Sequence, residues 1–306
     1  RQNDDMLFYV SMPPSSGYGS LRMPMNVGKV QNQGVEFDVE AVLVSTKNIE
    51  WSIYGNITYV DGKVVRLPDS YLKDDGTRWY AGSSYILKEG GSLHQAYMPE
   101  YAGVDAETGK ALYYLDPADH SKGTTATYSQ DLAGDLGDIS VKCYGGFGTS
   151  LNLYGVDLGI QFAYQFGGKA YDGTYQEMMH AGDKLGHIWS VDILNAWTPE
   201  NTETDVPRLC ASDSYDQQTS SRWLVSSNYL SLNNVTVGYT LPSKWTNKIG
   251  VAKARVYFQG DNLALFSARQ GYDPRQTQNA LSYGVGISTS TGNFVYSMTR
   301  TFSGGI

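Results

Sequence analysis

The 306-residue chain has no run of 18 apolar residues, so no transmembrane helix can be drawn from it. That absence leaves membrane strands open, because their side chains alternate and leave no hydropathy peak. Charge is sparse: Asp, Glu, Lys and Arg make up 18% of residues, below the usual quarter. The formal balance is −8, which argues against a nucleic-acid partner bound through its phosphates. Cysteine is nearly absent, and Cys143 and Cys210 stand at no metal-ligand spacing. An oxidising compartment would let the two pair; two separate thiols are the other reading. His94, His120, His180 and His187 form no HExxH, and there is no GxSxG elbow or phosphate loop. No catalytic set, cofactor or metal site is therefore expected. Proline is scarce, 10 against 34 glycines, which fits many strands and tight turns and not disorder. Arg1-Gln2-Asn3-Asp4-Asp5 is not a signal peptide and runs straight into apolar Met6–Val10, as if inside a strand. A piece of a longer protein is expected.

What is present is alternation. Leu158, Ile160, Phe162, Tyr164 and Phe166 fall on one face of an extended strand; Asp157, Gly159, Gln161, Ala163 and Gln165 fall on the other. Val35, Phe37, Val39, Ala41 and Leu43 repeat the pattern against Glu36, Asp38, Glu40 and Val42. After Thr46-Lys47-Asn48, so do Ile49, Trp51, Ile53, Gly55, Ile57 and Tyr59 against Glu50, Ser52, Tyr54, Asn56 and Thr58. Another strand runs from about Tyr144 to Leu153 and turns at Tyr154-Gly155. Between residues 229 and 241 the phase slips from Leu230 and Leu232 to Val235, Val237 and Tyr239, which predicts a bulge at Asn233-Asn234. Arg255–Phe266, with a bend at Gly260-Asp261-Asn262, a strand near Arg300–Ile306 and one from Met6 to Met12 bring the count to about eight. In a soluble sandwich the apolar stripes would face a core. In a barrel they would face lipid, with the polar stripes lining a wet lumen.

Connection lengths favour the barrel. Those near 46–48, 154–156 and 242–253 are short, and those near 13–32, 64–140, 170–222 and 268–298 are long. Regular alternation of tight turns and large loops is expected of an all-β, antiparallel up-and-down transmembrane β-barrel. Eight strands cannot close around a wide pore, and lipid does not tolerate unpaired strand edges, so more chain is required.

Several stretches resemble the SusC-like (RagA-like) TonB-dependent transporters of the Bacteroidota outer membrane. They are Asp5-Met6-Leu7 with Pro13 to Tyr18; Asn26-Val27-Gly28-Lys29-Val30 with Asn32-Gln33-Gly34-Val35-Glu36; and Tyr101-Ala102-Gly103-Val104-Asp105 with Glu107-Thr108-Gly109. Tyr144-Gly145-Gly146-Phe147, Asn195-Ala196-Trp197-Thr198-Pro199-Glu200-Asn201 and Asp205-Val206-Pro207-Arg208 follow. The series ends with Tyr229 to Tyr239, Gly260-Asp261-Asn262-Leu263 and Gly271-Tyr272-Asp273-Pro274. The resemblance implies about eight carboxy-terminal strands of a 22-stranded barrel in the outer membrane, with the plug domain absent from this chain. It also implies a SusD-like surface lipoprotein as lid, TonB acting through the plug, and oligosaccharide or oligopeptide cargo. Family members usually end on an aromatic residue; Ile306 departs from that.

Tyrosine outnumbers phenylalanine 24 to 9, and a ring with a wet tip suits both membrane interfaces and ligand surfaces. Trp79, Tyr80, Tyr85, Tyr97 and Tyr101 in one long loop, and Tyr171, Tyr175 and Trp189 in another, are the substrate-binding candidates. Packing the loops together is the plainer role for the same rings. Trp51, near a short turn, fits the inner aromatic girdle. Glu36, Asp38, Glu40 and Glu50 read as glycosidase carboxylates or, more simply, as solvated lumen residues. Asp105, Glu107, Asp116 and Asp119 are loop carboxylates without EF-hand spacing. Two further readings stay open: a TonB-dependent siderophore or cobalamin receptor, and a soluble all-β carbohydrate-binding domain.

Overall fold

Every second residue of the long strands is apolar, and the sheet they build keeps that division across its whole width. The computed structural model describes residues 1–11, 22–82, 84–213, 216–277 and 297–306. One eight-stranded sheet comprises β1 (Gln2–Ser11), β2 (Arg22–Ser45), β3 (Ile49–Arg66), β4 (Cys143–Leu153), β5 (Val156–Phe166), β6 (Tyr229–Thr240), β7 (Arg255–Ser267) and β8 (Thr301–Gly305). Each strand pairs antiparallel with its neighbour in sequence, and among the described residues β1 and β8 are the outer strands. This is the up-and-down order expected of a barrel wall.

The turns sort by edge. Thr46–Asn48, Tyr154-Gly155 and residues 241–254 close β2–β3, β4–β5 and β6–β7 on one edge. Tyr154 and Gly155 both take positive φ, 50° and 90°, the geometry of a two-residue hairpin whose twist matches its strands. Residues 67–142 and 167–228 leave from the opposite edge. The expected loops near 13–32 and 268–298 lie partly outside the described residues. β2 begins at Arg22, so residues 22–32, expected in a loop, are strand.

Register carries the apolar stripe from strand to strand. Phe37 pairs with Ile57, Phe147 with Gly55 and Phe162, Leu158 with Val237, and Val237 with Phe258. Phe147 and Phe162 stack with centroids 4.9 Å apart, and Phe258 and Phe302 stack at 5.9 Å. On the opposite face, Glu40, Tyr54, Gly148, Gln161, Asn234, Asp261 and Thr301 form one row across seven strands. The expected bulge is present: Gln161 pairs with Asn234 and Phe162 with Leu232, leaving Asn233 unpaired. On β7 the matching irregularity falls at Asn262, whose φ is +54°.

Val35, Phe37, Val39, Ile53, Ile57, Phe147, Val237, Val256, Phe258 and Phe302 are 39–69% exposed and share one face. Fully burying such a side chain is worth about 1.5–3 kcal/mol. Half-exposed, the ten together forgo roughly 10 kcal/mol, as much as the whole stability of an ordinary domain. An apolar medium must cover this face. The second sheet of a sandwich is not there: the other sheets among the described residues are pieces of two to four strands in the loops. The main hydrophobic cluster also lies in the loops, at Ala96, Met98, Ile139, Tyr171, Met179, Ile193, Ala196, Val206 and Trp223. No described helix is long and apolar enough to cross a membrane.

Candidate functional site

Residues 67–142 and 167–228 fold against each other above the long-loop edge. Tyr101 anchors one to the other: its amide donates to Ser221 Oγ at 2.9 Å and its hydroxyl donates to the Asp205 carbonyl at 2.8 Å. Trp197 Nε1 donates to the Ala106 carbonyl at 3.1 Å. Gly109 beside it has φ +70°, and a Cβ there would come within 2.4 Å of the Trp197 ring, so only glycine fits. Trp223 is fully buried, with the Arg222 guanidinium 4.6 Å from its ring centroid and 5.3 Å from that of Tyr101. Burial of Asp216 next to this group pushes its carboxyl up to about 6, against the pull of Arg222.

The eight candidate aromatics do not converge on one site. Tyr171 is a core residue, 4% exposed, with its hydroxyl donating to Gln176 Oε1 at 2.8 Å; it has no face for a substrate, which corrects that assignment. Tyr175 donates its hydroxyl to Asp192 at 2.8 Å beneath the Arg269 guanidinium, 3.8 Å from the ring centroid, and burial pushes its phenol up to about 12. Tyr101 is taken up by the loop–loop contact above, and burial raises its phenol. Trp189 stacks on buried His180 at 4.9 Å and donates to the His180 carbonyl at 2.8 Å.

Trp79, Tyr80, Tyr85 and Tyr97 share a four-stranded sheet ordered Ala133–Asp138, Gln95–Pro99, Tyr85–Lys88 and Trp79–Ala81. Register splits them by face. Trp79 pairs with Lys88, Ile86 with Gln95 and Tyr97 with Asp135, so these six lie on one face. Tyr80 and Tyr85 lie on the other, their rings 6.1 Å apart, with Tyr71 5.2 Å from Tyr80. An open recess of about 450 Å³ at this end of the sheet is lined by residues of both faces, Thr77, Arg78, Trp79, Ile86, Lys88, Glu89 and Asp135. Arg78 lies 3.0 Å from Asp69 and 3.6 Å from Glu89, Lys88 pairs with Asp135, and Lys73 Nζ sits 4.3 Å from the Trp79 ring centroid. Sequence reading found the tryptophan but not the charged frame, whose clue is the cross-strand match of Arg78-Trp79 with Lys88-Glu89. A second recess of about 420 Å³ lies between Gly103 and Asn195, Asn201, Glu203, Thr204 and Asp205.

Cys143 and Cys210 are free thiols, not a bridge. Cys143 begins β4 on the apolar face, paired with Tyr59 and Phe166, whereas Cys210 lies in a loop with its sulfur 3.0 Å from Ser212 Oγ. The loop carboxylates hold turns: Asp105 accepts from the Glu107 and Thr108 amides at 2.8 and 3.0 Å, and Asp116 accepts from the Ala118 amide at 2.8 Å. These backbone bonds hold the Asp105 carboxyl below its usual range. No cluster of His, Cys, Asp and Glu suited to a metal occurs among the described residues. In the second loop, Leu185, Ile188, Val191 and Leu194 are 71–94% exposed.

No protein-family model matches the chain. It is 27% identical over 328 residues to the TonB-dependent receptor P3 of Formosa agariphila, covering 100% of the chain and 31% of that receptor. It is 25% identical over 290 residues to the TonB-dependent receptor SusC of Bacteroides thetaiotaomicron, covering 90% of the chain and 27% of that protein. Among solved structures, that of the RagAB peptide transporter matches with TM-score 0.77 and 28% identity over 94% of this chain and 30% of its own. The RagAB peptide importer in the open-open state matches with TM-score 0.76 at the same identity and coverage. The chain thus spans about a third of the length of these relatives.

Proposed function

We propose that this chain, which sequence and fold identify as a segment of a SusC-like TonB-dependent transporter barrel, serves active import of oligosaccharides or oligopeptides across the outer membrane. The observation that carries the reading is the inverted distribution of apolar surface. The wall presents Phe37, Ile57, Phe147 and Phe258 outward, and the packed core sits in the loops. A water-soluble domain would do the reverse. In this reading acyl chains cover the apolar face, the row from Glu40 to Thr301 borders the wet lumen, and the remaining barrel and plug come from other parts of the transporter.

The loops then form part of the outer vestibule. A SusD-like surface lipoprotein closes over them, and the exposed apolar side chains of Leu185, Ile188, Val191 and Leu194 give it apolar surface to cover. Cargo binding shifts the population of lid and plug states, so that TonB engages loaded transporters. No covalent chemistry is required of this chain, in keeping with relatives that carry receptor and transporter names. Isolation of the full-length protein from native membrane, with mass spectrometry of whatever accompanies it, tests the proposal. A surface lipoprotein and an oligomeric nutrient are expected. A bound iron chelate or cobalamin and no lipoprotein would overturn it.

A further inference from the structure

The two edges of the wall differ in the sign of their charge. Residues 67–142 and 167–228, above the long-loop edge, hold 21 carboxylates against ten lysines and arginines. The turns at 46–48, 154–155 and 241–254 on the other edge hold four lysines, Lys47, Lys244, Lys248 and Lys253, and no carboxylate. The nearest strand carboxylates, Glu50 and Asp157, lie on the polar face of the wall, and Asp157 accepts from Arg255 Nε at 2.9 Å. Lys244 and Lys248 make no ion pair or hydrogen bond among the described residues, although the chain as a whole carries −8.

The longest of these turns is folded. The ladder runs one step past β6 and β7, where the Leu241 amide donates to the Ala254 carbonyl at 2.9 Å, and this pair continues the apolar face of Tyr239 and Val256. A short helix, Ser243–Thr246, passes into a helical turn, Asn247–Ile249, which Gly250 ends at φ +73°. The Val251 amide donates back to the Thr246 carbonyl at 3.1 Å, and the Thr246 side chain is buried. Trp245 and Ile249, four residues apart in this run and therefore on one side of it, are nonetheless 59% and 73% exposed. Lys244 and Lys248, spaced in the same way, share the flank beside them. Trp51, on the apolar face, and Tyr154, in the β4–β5 turn, are exposed near the same edge. Aromatic rings in such a band mark the level at which a bilayer meets water.

An exposed indole and isoleucine beside unpaired ammonium groups match a phospholipid surface, whose acyl boundary takes the former and whose phosphates take the latter. Continuity with the apolar face of the wall favours lipid over a soluble acidic partner. We propose that residues 242–253 form a foot that binds anionic phospholipid in the leaflet at the short-turn edge. Trp245 and Ile249 enter the boundary between headgroups and acyl chains, and Lys244 and Lys248 lie on lipid phosphates. The proposal needs the wall to stand in a bilayer and is independent of the cargo.

The test places the full-length transporter in nanodiscs of phosphatidylcholine alone and of phosphatidylcholine with phosphatidylglycerol, and follows hydrogen exchange of residues 243–252. At roughly fivefold per lysine near an anionic surface, exchange should be about tenfold slower or more in the discs that contain phosphatidylglycerol. The double variant Lys244→Gln, Lys248→Gln should exchange alike in the two discs. Trp245→Gln should exchange faster than the parent in both. Equal exchange of the parent in the two discs, as a foot awaiting a soluble acidic partner would give, overturns the proposal. So does a lipid difference that survives in the lysine variant, or a Trp245→Gln protein protected as the parent is. If a variant fails to assemble, judged by heat-modifiable gel mobility, the parent's comparison of the two lipids decides alone. A transporter that enters neither disc sinks the lipid-facing wall, and the foot with it.

Discussion

Ile53 and Ser52 are adjacent in β3 and point to opposite faces, so one substitution at each separates lipid from lumen. Ile53 pairs with Ala41 and Thr149 on the apolar face; Ser52 pairs with Val42 and Ser150 on the polar one. Ile53 lies four residues from the first residue of its strand, Ile49. At about 3.4 Å per residue and a tilt near 40°, that places it about 10 Å above the short-turn edge, close to the middle of an apolar band about 25 Å tall. An arginine at that depth on the lipid face costs about 2–4 kcal/mol, and the lost isoleucine contact adds about 1. Ile53→Arg should therefore destabilise the barrel by roughly 3–5 kcal/mol. Ser52→Arg, solvated in the lumen, should stay within about 0.5 kcal/mol of the parent. The assay is urea unfolding of the full-length protein in lipid vesicles, followed by tryptophan fluorescence and by gel mobility of the folded barrel. Equal responses at the two positions, or the larger one at Ser52, would falsify the assignment of faces.

Trp223→Ala removes the largest fully buried side chain of the loop cluster and should cost about 3–5 kcal/mol. Hydrogen exchange should then quicken in residues 91–140 and 167–228 while β3, β4 and β5 keep their protection. Asp216 titrates near 6 in the fold against an ordinary 3.8, so the folded state holds the extra proton between those values and loop stability falls as pH rises through them, by about 3 kcal/mol. Asp216→Asn should flatten that dependence, read as loop exchange rates at pH 4 and pH 7; an unchanged slope would discard the assignment. Gly109→Ala pushes a methyl group into the Trp197 ring in a left-handed backbone, and differential scanning of the intact protein should show an early loop transition absent from the parent.

The wall was legible in the sequence because its two faces meet different solvents, and the chain therefore alternates for ten residues or more at a time. Even the slip at Asn233 could be read, since a bulge flips the phase of Leu232 and Val235. The start of β2 was hidden because Pro24 and Gly28 sit inside it and argue locally against a strand, although Pro24 pairs opposite Tyr9. The loop fold was not legible. Its strands run two to six residues, too short for a period, and Met98, Ile139 and Trp223 come together from well-separated positions in the two loops. Of the aromatic candidates, sequence could not separate buried Tyr171 from partly exposed Trp79, because both are rings in polar loops and only tertiary packing decides how much of each stays accessible.

How the loops are attached to the wall bears on what can move. Lys142, just before β4, reaches Asp61 of β3 at 2.7 Å and Asp138 of the loop sheet at 2.6 Å, so one ammonium joins rim and vestibule. Gln165 near the end of β5 donates to the Ser227 carbonyl at 3.1 Å, and the Gly167 amide donates to Asn228 Oδ1 at 2.8 Å, closing the base of the second loop. Asp172 caps the helix Gly173–Met178 through the Tyr175 amide at 2.9 Å and also holds Arg269, which follows β7. A single exposed ion pair contributes little, about 0–1 kcal/mol, but these ties are distributed along the rim and act beneath a common hydrophobic cluster. Both loops should therefore ride with the wall as one piece. In the proposed import cycle, opening and closing would then fall to elements outside these two loops. Cross-linking the two loops through an engineered Ser221→Cys and Tyr101→Cys pair should leave transport largely intact, because the loops move together. A severe loss of uptake with the barrel still folded would show that they part during the cycle.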